Sequence, residues 1–278
     1  MPAPAQIIPK VSIIIPCFNQ GKYLGKTIES ALAQTLRDIE IIVVDDGSTD
    51  PETQKFLDKY SHEKVRILRQ KNTGAAEARN TGIKAACAPY ILPLDADDLI
   101  APRYAEKATQ ILDSDPAVGI VYCRAAYFGA QTGKWKMNVY PFDKILEKNF
   151  IFCSALYRRT DWLAAGGYNA NMIHGYEDWD FWVSLYACGV RKIHRLDDTF
   201  FYYRRHKKIS RNDGVLASPD HLRRMHLQIV KNHLDLYLEH PEALVNILRI
   251  FLPEASPEKN LKAKKSLRSF LTSLLGKA

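Results

Sequence analysis

Two rhythms organise the apolar positions of the first hundred residues. Residues 11–16 (VSIIIP) and 39–44 (IEIIVV) are short β-branched runs, too short for helices, and read as buried strands. Between them, residues 23–34 place Leu24, Ile28, Ala31 and Leu32 on one face at helical spacing, and Asp45-Asp46-Gly47-Ser48 breaks the chain after the second strand. Strand, helix, strand predicts a right-handed parallel crossover. The alternation continues with a helix over 49–60, a strand over 65–68, an alanine-rich helix over 74–86 and a strand over 90–94. An open α/β sheet covered by helices follows, and such sheets bind ligands beyond the carboxyl ends of their strands.

After about residue 115 the rhythm changes to β-like pieces over 118–128 and 152–157, a helix over 176–188, a strand over 199–204 and a helix over 215–239. This half is expected to lean on the first sheet rather than fold alone.

Composition adds little to the fold but localises the charge. At 278 residues, 46% hydrophobic and 25% charged, the chain is ordinary globular protein, which excludes disorder, collagen-like repeats and a coiled-coil rod. The net charge of +8 lies wholly beyond residue 200, where 15 basic residues face 7 acidic ones. An acidic partner is therefore expected at the C-terminal end. No run approaches the about 18 to 20 consecutive apolar residues of a membrane-spanning helix, and the first residues lack an export signal, so a cytoplasmic protein is expected. The five cysteines form no C-x-x-C pair and read as reduced core thiols.

Two acidic clusters fall where the sheet rule places a ligand. Asp45 and Asp46 follow the second strand; Asp95, Asp97 and Asp98 follow the fourth (PLDADD). Either cluster alone reads as turn residues or helix caps. Together they converge on one crevice, where crowded like charges need a cation or hydrogen-bond donors. An alternating D-x-D suits Mg²⁺ or Mn²⁺, which bind through one or two carboxylates plus substrate phosphates. Neither G-x-x-x-x-G-K-[ST] nor G-x-G-x-x-G follows the first strand, which argues against a P-loop kinase or a dinucleotide dehydrogenase. A third cluster, Glu177, Asp178 and Asp180, opens a helix among Trp179, Phe181 and Trp182. It reads either as charge complementing the helix dipole or as a carboxylate pushed by an apolar wall toward general-base duty.

In series, VSIIIPCFNQGKYLGKTIESALAQT, IEIIVVDDGSTD, NTGAAEARNTGI, YILPLDADD, GGY with GYEDWDFWVSL, and YYRRHKKIS resemble the family 2 glycosyltransferases of the GT-A fold, over residues 10–211. The resemblance implies an open, mostly parallel nucleotide-binding sheet flanked by helices (10–115), with a smaller mixed acceptor-side sheet (116–214). Together these make a GT-A domain over 1–214, followed by a helical extension over 215–278. It also implies roles. Pro16, Phe18 and Asn19 form the turn under the nucleotide base, with Phe18 as a stacking platform. Asp46 accepts a hydrogen bond from a base N–H, while Asp45 holds the turn. Asn72, Gly74 and Arg79 close over base and phosphates, and Asp95 meets the ribose. Asp97 ligates the metal and Asp98 braces the loop. Asp178 is the catalytic base, with Glu177 orienting the loop or the acceptor. Arg204 and Arg205 pair with the diphosphate, and His206 ligates the metal or bonds a phosphate.

The implied function is a metal-dependent, inverting hexosyltransferase moving sugar from a UDP-sugar to a hydroxyl of a glycan or lipid-linked acceptor, in cell-surface polysaccharide or glycolipid synthesis. The other reading is a non-catalytic nucleotide-sugar-binding partner subunit of the same fold. Residues 259–278 alternate lysines with Leu267, Phe270, Leu271, Leu274 and Leu275 at helical spacing. Such a tail packs on the body or lies on the inner, anionic face of a membrane as a peripheral anchor. Nucleic acid is not an expected partner, because aromatics are not interleaved with this charge.

Overall fold

The computed structural model describes residues 8–173, 175–207 and 218–251. The first half alternates as expected. Strand β1 (Val11–Cys17), helix α1 (Gly21–Leu32), β2 (Ile39–Asp45), α2 (Pro51–Lys59), β3 (Val65–Arg69), α3 (Ala75–Ala85) and β4 (Tyr90–Pro93) follow one another. Nearly every residue of β1 and β2 is buried, which is why both read as unbroken apolar runs. α2 begins where Asp50 accepts from the Thr53 amide, at 2.9 Å, with Pro51 in the first turn.

The second half comprises β5 (Leu99–Ile100), α4 (Tyr104–Ser114), β6 (Val118–Gly129) and β7 (Gly133–Lys134), then a 3₁₀ turn (Phe142–Leu146), β8 (Leu156–Arg158) and α5 (Arg159–Ala164). After these come α6 (Glu177–Ala187), β9 (Lys192–Arg205), α7 (Pro219–Asn232), α8 (Leu234–Glu239) and α9 (Pro241–Leu248). Four expectations change. The β-like stretch over 152–157 pairs only at Leu156–Arg158. The strand expected over 199–204 begins at Lys192 and pairs with β6 along its length. A helix not expected from the pattern, α4, buries Tyr104, Ala105, Ala108 and Leu112 on one face. The helix expected over 215–239 is broken at His233, whose backbone leaves the helical region, and its residues before 218 lie outside the described set.

One sheet runs through both halves in the order β3-β2-β1-β4-β8-β6-β9-β5, with β7 on β6. Its first four strands are parallel; β8 enters antiparallel to β4 and hands the sheet on to β6. The parallel ends of β1, β2 and β4 therefore open on the same edge as the loops that precede α6 and follow β9. α7 to α9 complete the core through Met225, Ile229, Val230, Tyr237 and Ile247, and the Tyr237 hydroxyl donates to the Leu146 carbonyl at 2.8 Å.

Candidate active site

The loops after β1 and β2 are laced together. Asn19, with a positive φ of 55°, accepts from the amides of Thr49 and Asp50 through Oδ1, and its own amide donates to Ser48 Oγ. Asp45 accepts from the Ser48 amide at 2.9 Å, the turn-holding part that its place in DDGS suggests. Pro16 lies in β1 and leads to Phe18, whose ring stands 44% exposed on the open edge.

Asp46 is buried and mostly committed to protein. Its Oδ1 accepts from Gln70 Nε2, the Thr73 amide and Thr73 Oγ1; its Oδ2 accepts from the Gly74 amide at 2.8 Å. A carboxylate offers about four lone-pair positions, so at most one, on Oδ2, remains for the base N–H expected of it. Its main task here is to hold the 70–74 loop, in which Asn72 is exposed. Gly74 heads α3 with φ 93°, and a Cβ placed on it would meet nothing within 4 Å, so open space lies before the helix end.

Arg79, expected as a donor to phosphates, is held between two carboxylates, with Nε unpartnered among the described residues. It is 2% exposed and bridges two segments far apart in sequence, with Nη2 on Asp95 Oδ1 at 2.6 Å and Nη1 on Glu177 Oε1 at 2.8 Å. Burial opposes its charge, but the two carboxylates outweigh that and hold its pKa well above the ordinary value. The bridge ties the loop after β4 to the start of α6. Asn80 adds a second tie, donating to the Tyr168 carbonyl and accepting from the Tyr168 amide and Trp162 Nε1.

Asp95, Asp97 and Asp98 crowd together as the sequence implies. Asp98 is 1% exposed and accepts from the Arg204 amide at 2.8 Å through Oδ1, while Oδ2 has no partner among the described residues. Burial first, then the charges of Asp97 and Asp95, push its pKa well up. Burial and Asp95 likewise raise Asp97, against the pull of His206, whose Nε2 lies 2.7 Å from Asp97 Oδ2. His206 packs edge-on to Tyr23 at 5.3 Å. The Arg204 guanidinium sits between Tyr23 and Phe128, donates through Nε to the Asp97 carbonyl, and leaves a buried Nη2 without a partner among the described residues. Arg205, next along β9, lies over Tyr127 on the other face. Residues 208–210 of the same motif lie outside the described set.

Across the Arg79 bridge stands Asp178 in the first turn of α6. Its Oδ1 accepts from the Trp179 amide at 2.7 Å and from Asn149 Nδ2 at 3.3 Å; no donor among the described residues reaches Oδ2. Burial first, and then the charge of Glu177, raise its pKa to about 7, although Arg79 pulls the other way. A carboxylate with one open oxygen and a pKa near neutrality is equipped to take a proton. The turn before it is tight: Tyr176 has φ 59° and is braced edge-on by Trp179 and by His226 of α7.

The site thus gathers Asp95, Asp97, Asp98, Arg79, Arg204, His206, Glu177 and Asp178 on one edge, with Phe18 and Gly74 at its open rim. Asn149, Tyr23 and Cys153 join it without having stood out in the sequence. Asn149 lies in a segment without periodicity, Cys153 in a stretch that reads as β-like but reaches Asp95 Oδ2 at 3.5 Å, and Tyr23 reads as an ordinary helix residue.

Comparison with known proteins agrees with this geometry. The model of "Glycosyl transferase family 2" matches residues 12–173. The uncharacterized glycosyltransferase EpsJ of Bacillus subtilis is 30% identical over 96% of this chain and 84% of its own length. The chondroitin synthase of Escherichia coli is 29% identical over 66% of this chain, which spans only 28% of that protein. Among solved structures, Staphylococcus aureus TarS 1–349 in complex with UDP-GlcNAc superposes with a TM-score of 0.66 at 20% identity, over 80% of this chain and 66% of that one.

Proposed function

This chain belongs to glycosyl transferase family 2, and from that premise we propose that it is a divalent-cation-dependent, inverting enzyme. It moves a hexose from a UDP-sugar to a hydroxyl of a glycan or lipid-linked acceptor. The observation that carries the reading is the pair of unlike carboxylate stations that Arg79 joins. On one side Asp95, Asp97 and Asp98 concentrate negative charge; on the other Asp178 keeps an open oxygen with a pKa of about 7.

The donor side supports a nucleotide diphosphate. The exposed Phe18 ring offers a stacking surface for the base, and the free position on Asp46 Oδ2 is an acceptor for a base N–H. Uridine as that base is supported by the TarS neighbour, which was solved with UDP-GlcNAc. Asn72 and Gly74 line the rim that closes over it. The orphaned Nη2 of Arg204 is a charge-assisted donor for a phosphate oxygen.

The same side fits a hard cation. Among the described residues no group of three or more His, Cys, Asp or Glu converges to cage a metal. Asp97 and His206 nonetheless form a two-ligand corner, which suffices for an ion whose other ligands are phosphate oxygens and water. The unpartnered Asp98 Oδ2 and the crowding of Asp95, Asp97 and Asp98 favour a cation there. Asp97 and His206 would hold Mn²⁺ or Mg²⁺, which would neutralise charge on the leaving diphosphate.

Asp178 Oδ2 takes the acceptor hydroxyl's proton as that oxygen attacks the anomeric carbon and the diphosphate leaves, while Oδ1 is held by Trp179 and Asn149. Glu177 Oε1 and Asp95 Oδ1 are each tied to the Arg79 guanidinium, a bracing position that supports a single displacement with inversion over attack by either carboxylate. The proposal takes residues 1–214 as the catalytic unit and 215–278 as its helical extension. The basic tail over 259–278, outside the described residues, is proposed to hold the enzyme peripherally on the inner face of the cell membrane, where glycolipid or cell-surface polysaccharide is assembled.

The test is a panel of nucleotide sugars with Mn²⁺ or with EDTA, following thermal stabilisation and released nucleoside diphosphate. Metal-dependent stabilisation by one UDP-sugar with slow release of UDP supports the reading. A folded protein that no nucleotide sugar stabilises in the presence of metal overturns it.

A further inference from the structure

A second concavity lies away from the carboxylates, on the strands that carry Arg204 and His206 to them. Strand β9 bulges there: Leu196 is the partner of Cys123 but Thr199 is the partner of Arg124, so Asp197 and Asp198 stand outside the ladder. Bulges of this kind re-aim side chains and recur beside functional sites. A cavity of about 520 Å³ opens at this point between β6, β7 and the bulge. Arg124, Lys134, Lys136 and Arg195 contribute four cations to its wall, against the carboxylates of Asp197 and Asp198.

The wall is braced from within. Arg124 pairs with Asp197 at 3.0 Å, and Arg195 Nη1 donates to the Met137 carbonyl at 3.1 Å, pinning the segment after β7. Lys134 and Lys136 flank Trp135, and no salt bridge among the described residues engages either lysine. Trp135 stacks on Tyr127 with ring centres 5.3 Å apart and packs against Phe152 and Tyr203. Phe152 precedes Cys153, whose thiol meets Asp95 of the donor site. One chain of contacts thus joins the cavity to the reaction centre.

A half-buried tryptophan beside unmatched lysines suits a ligand with both a sugar face and negative charge. Aromatic faces bind the apolar side of a pyranose, and the cations select its carboxylate or phosphate groups. We propose that this cavity is a subsite for an anionic saccharide, the part of the acceptor chain remote from the hydroxyl that is glycosylated. The proposal rests on the glycosyltransferase reading above and extends it to the acceptor's chemical class.

Trp135 supplies its own reporter, because the other three tryptophans, Trp162, Trp179 and Trp182, are buried. The experiment titrates the full chain with hyaluronan hexasaccharide, with a phosphorylated maltohexaose and with plain maltohexaose, reading tryptophan fluorescence at low and high salt. A saturable change with either charged probe, weakened by salt and absent with plain maltohexaose, is expected, and the better of the two names the anion. Lys134→Glu with Lys136→Glu, both on exposed side chains, should weaken that binding about tenfold while leaving stabilisation by a UDP-sugar unchanged. No response to either charged probe, an equal response to plain maltohexaose, or indifference to the lysine changes overturns the subsite. A protein that a UDP-sugar stabilises but no anionic saccharide touches keeps the glycosyltransferase reading and loses only this one. Failure of every nucleotide sugar to stabilise the chain removes the reading itself, whatever the fluorescence shows.

Discussion

Asp178 and Asp180 sit two residues apart on α6 and are gripped from opposite sides. Asp178 is met by Asn149, whereas Asp180, fully buried, accepts from Asn169, from Asn232 at 2.7 Å and from His233 Nε2 at 3.1 Å. Successive helical positions lie about 100° apart, so residues two apart point to opposed faces. The C-terminal helices thereby fix the helix that carries the proposed base, from behind.

Removal of the Asp180 carboxylate should therefore act at a distance. Asp180→Leu takes from Asn169 Nδ2 and His233 Nε2 the acceptor they share, while Asn232 Nδ2 keeps Asn171 Oδ1, and should lower stability by about 2 kcal/mol in denaturant unfolding. Asp180→Asn keeps one acceptor oxygen. It is expected to fold with a smaller loss and to lower kcat more than it raises the donor KM.

The pH profile of turnover should rise with one ionisation and level off, with its midpoint at about 7. Asp178→Asn should lower kcat by about 10³-fold while donor-induced thermal stabilisation survives. Stability should move the other way. The folded pKa of Asp178 lies above its unfolded value, so the wild type loses stability as pH rises through about 7 and the carboxylate must ionise in the fold. The Asn variant escapes that loss, and its melting temperature should exceed wild type by about 3 °C at pH 8 and match it more closely at pH 5. Turnover by the variant equal to wild type would sink the assignment of the base.

Arg79 and Glu177 offer a sharper check, because they push the same ionisation in opposite directions. Glu177→Gln removes a like charge from beside Asp178 and should shift the rate profile to lower pH. Arg79→Lys keeps a charge but cannot fork between two carboxylates. It should shift the profile to higher pH and cost about 2 kcal/mol of stability, with Arg79→Ala costing more because Asp95 and Glu177 are left unpaired. Profiles that stay in place in both variants would separate Asp178 from the bridge.

At Gly74 the backbone holds φ 93°, a region that side chains rarely adopt, although a Cβ there would touch nothing. Gly74→Ala should cost about 1 kcal/mol through strain alone and raise the donor KM, by tilting the amide that Asp46 holds. At Gly47, with φ 70°, a Cβ would also press to 2.8 Å of the Asn72 amide nitrogen, so Gly47→Ala should be the more damaging change. Thermal melts with and without UDP-sugar measure both.

The sequence made the parallel half legible because β1, β2 and β4 are buried on both faces and so spell continuous β-branched runs. Their carboxyl ends then located Asp46 and the 95–98 cluster without any knowledge of side-chain partners. Pairing was less legible. β8 offers three residues and β7 two, too few for a period to show, and β9 hides its first half behind charged residues and a bulge. Arg79 looked like a free donor because nothing local to it reveals that Glu177, 98 residues away in sequence, folds onto its other nitrogen. The bracing of Asp180 by Asn232 and His233 was hidden for the same reason.

The unbroken run of strands from β3 to β5 has a bearing on how such a scaffold is re-tooled. Hinging residues 10–115 against the residues beyond them would tear ladder bonds between β4, β8 and β6, so rearrangement of the site falls to the connecting loops. The floor stays rigid while those loops are exchanged. Grafting the 130–150 segment and the turn before α6 from one homologue into another should carry acceptor preference across and leave donor recognition with the recipient. That makes this chain a workable chassis for new glycosidic linkages.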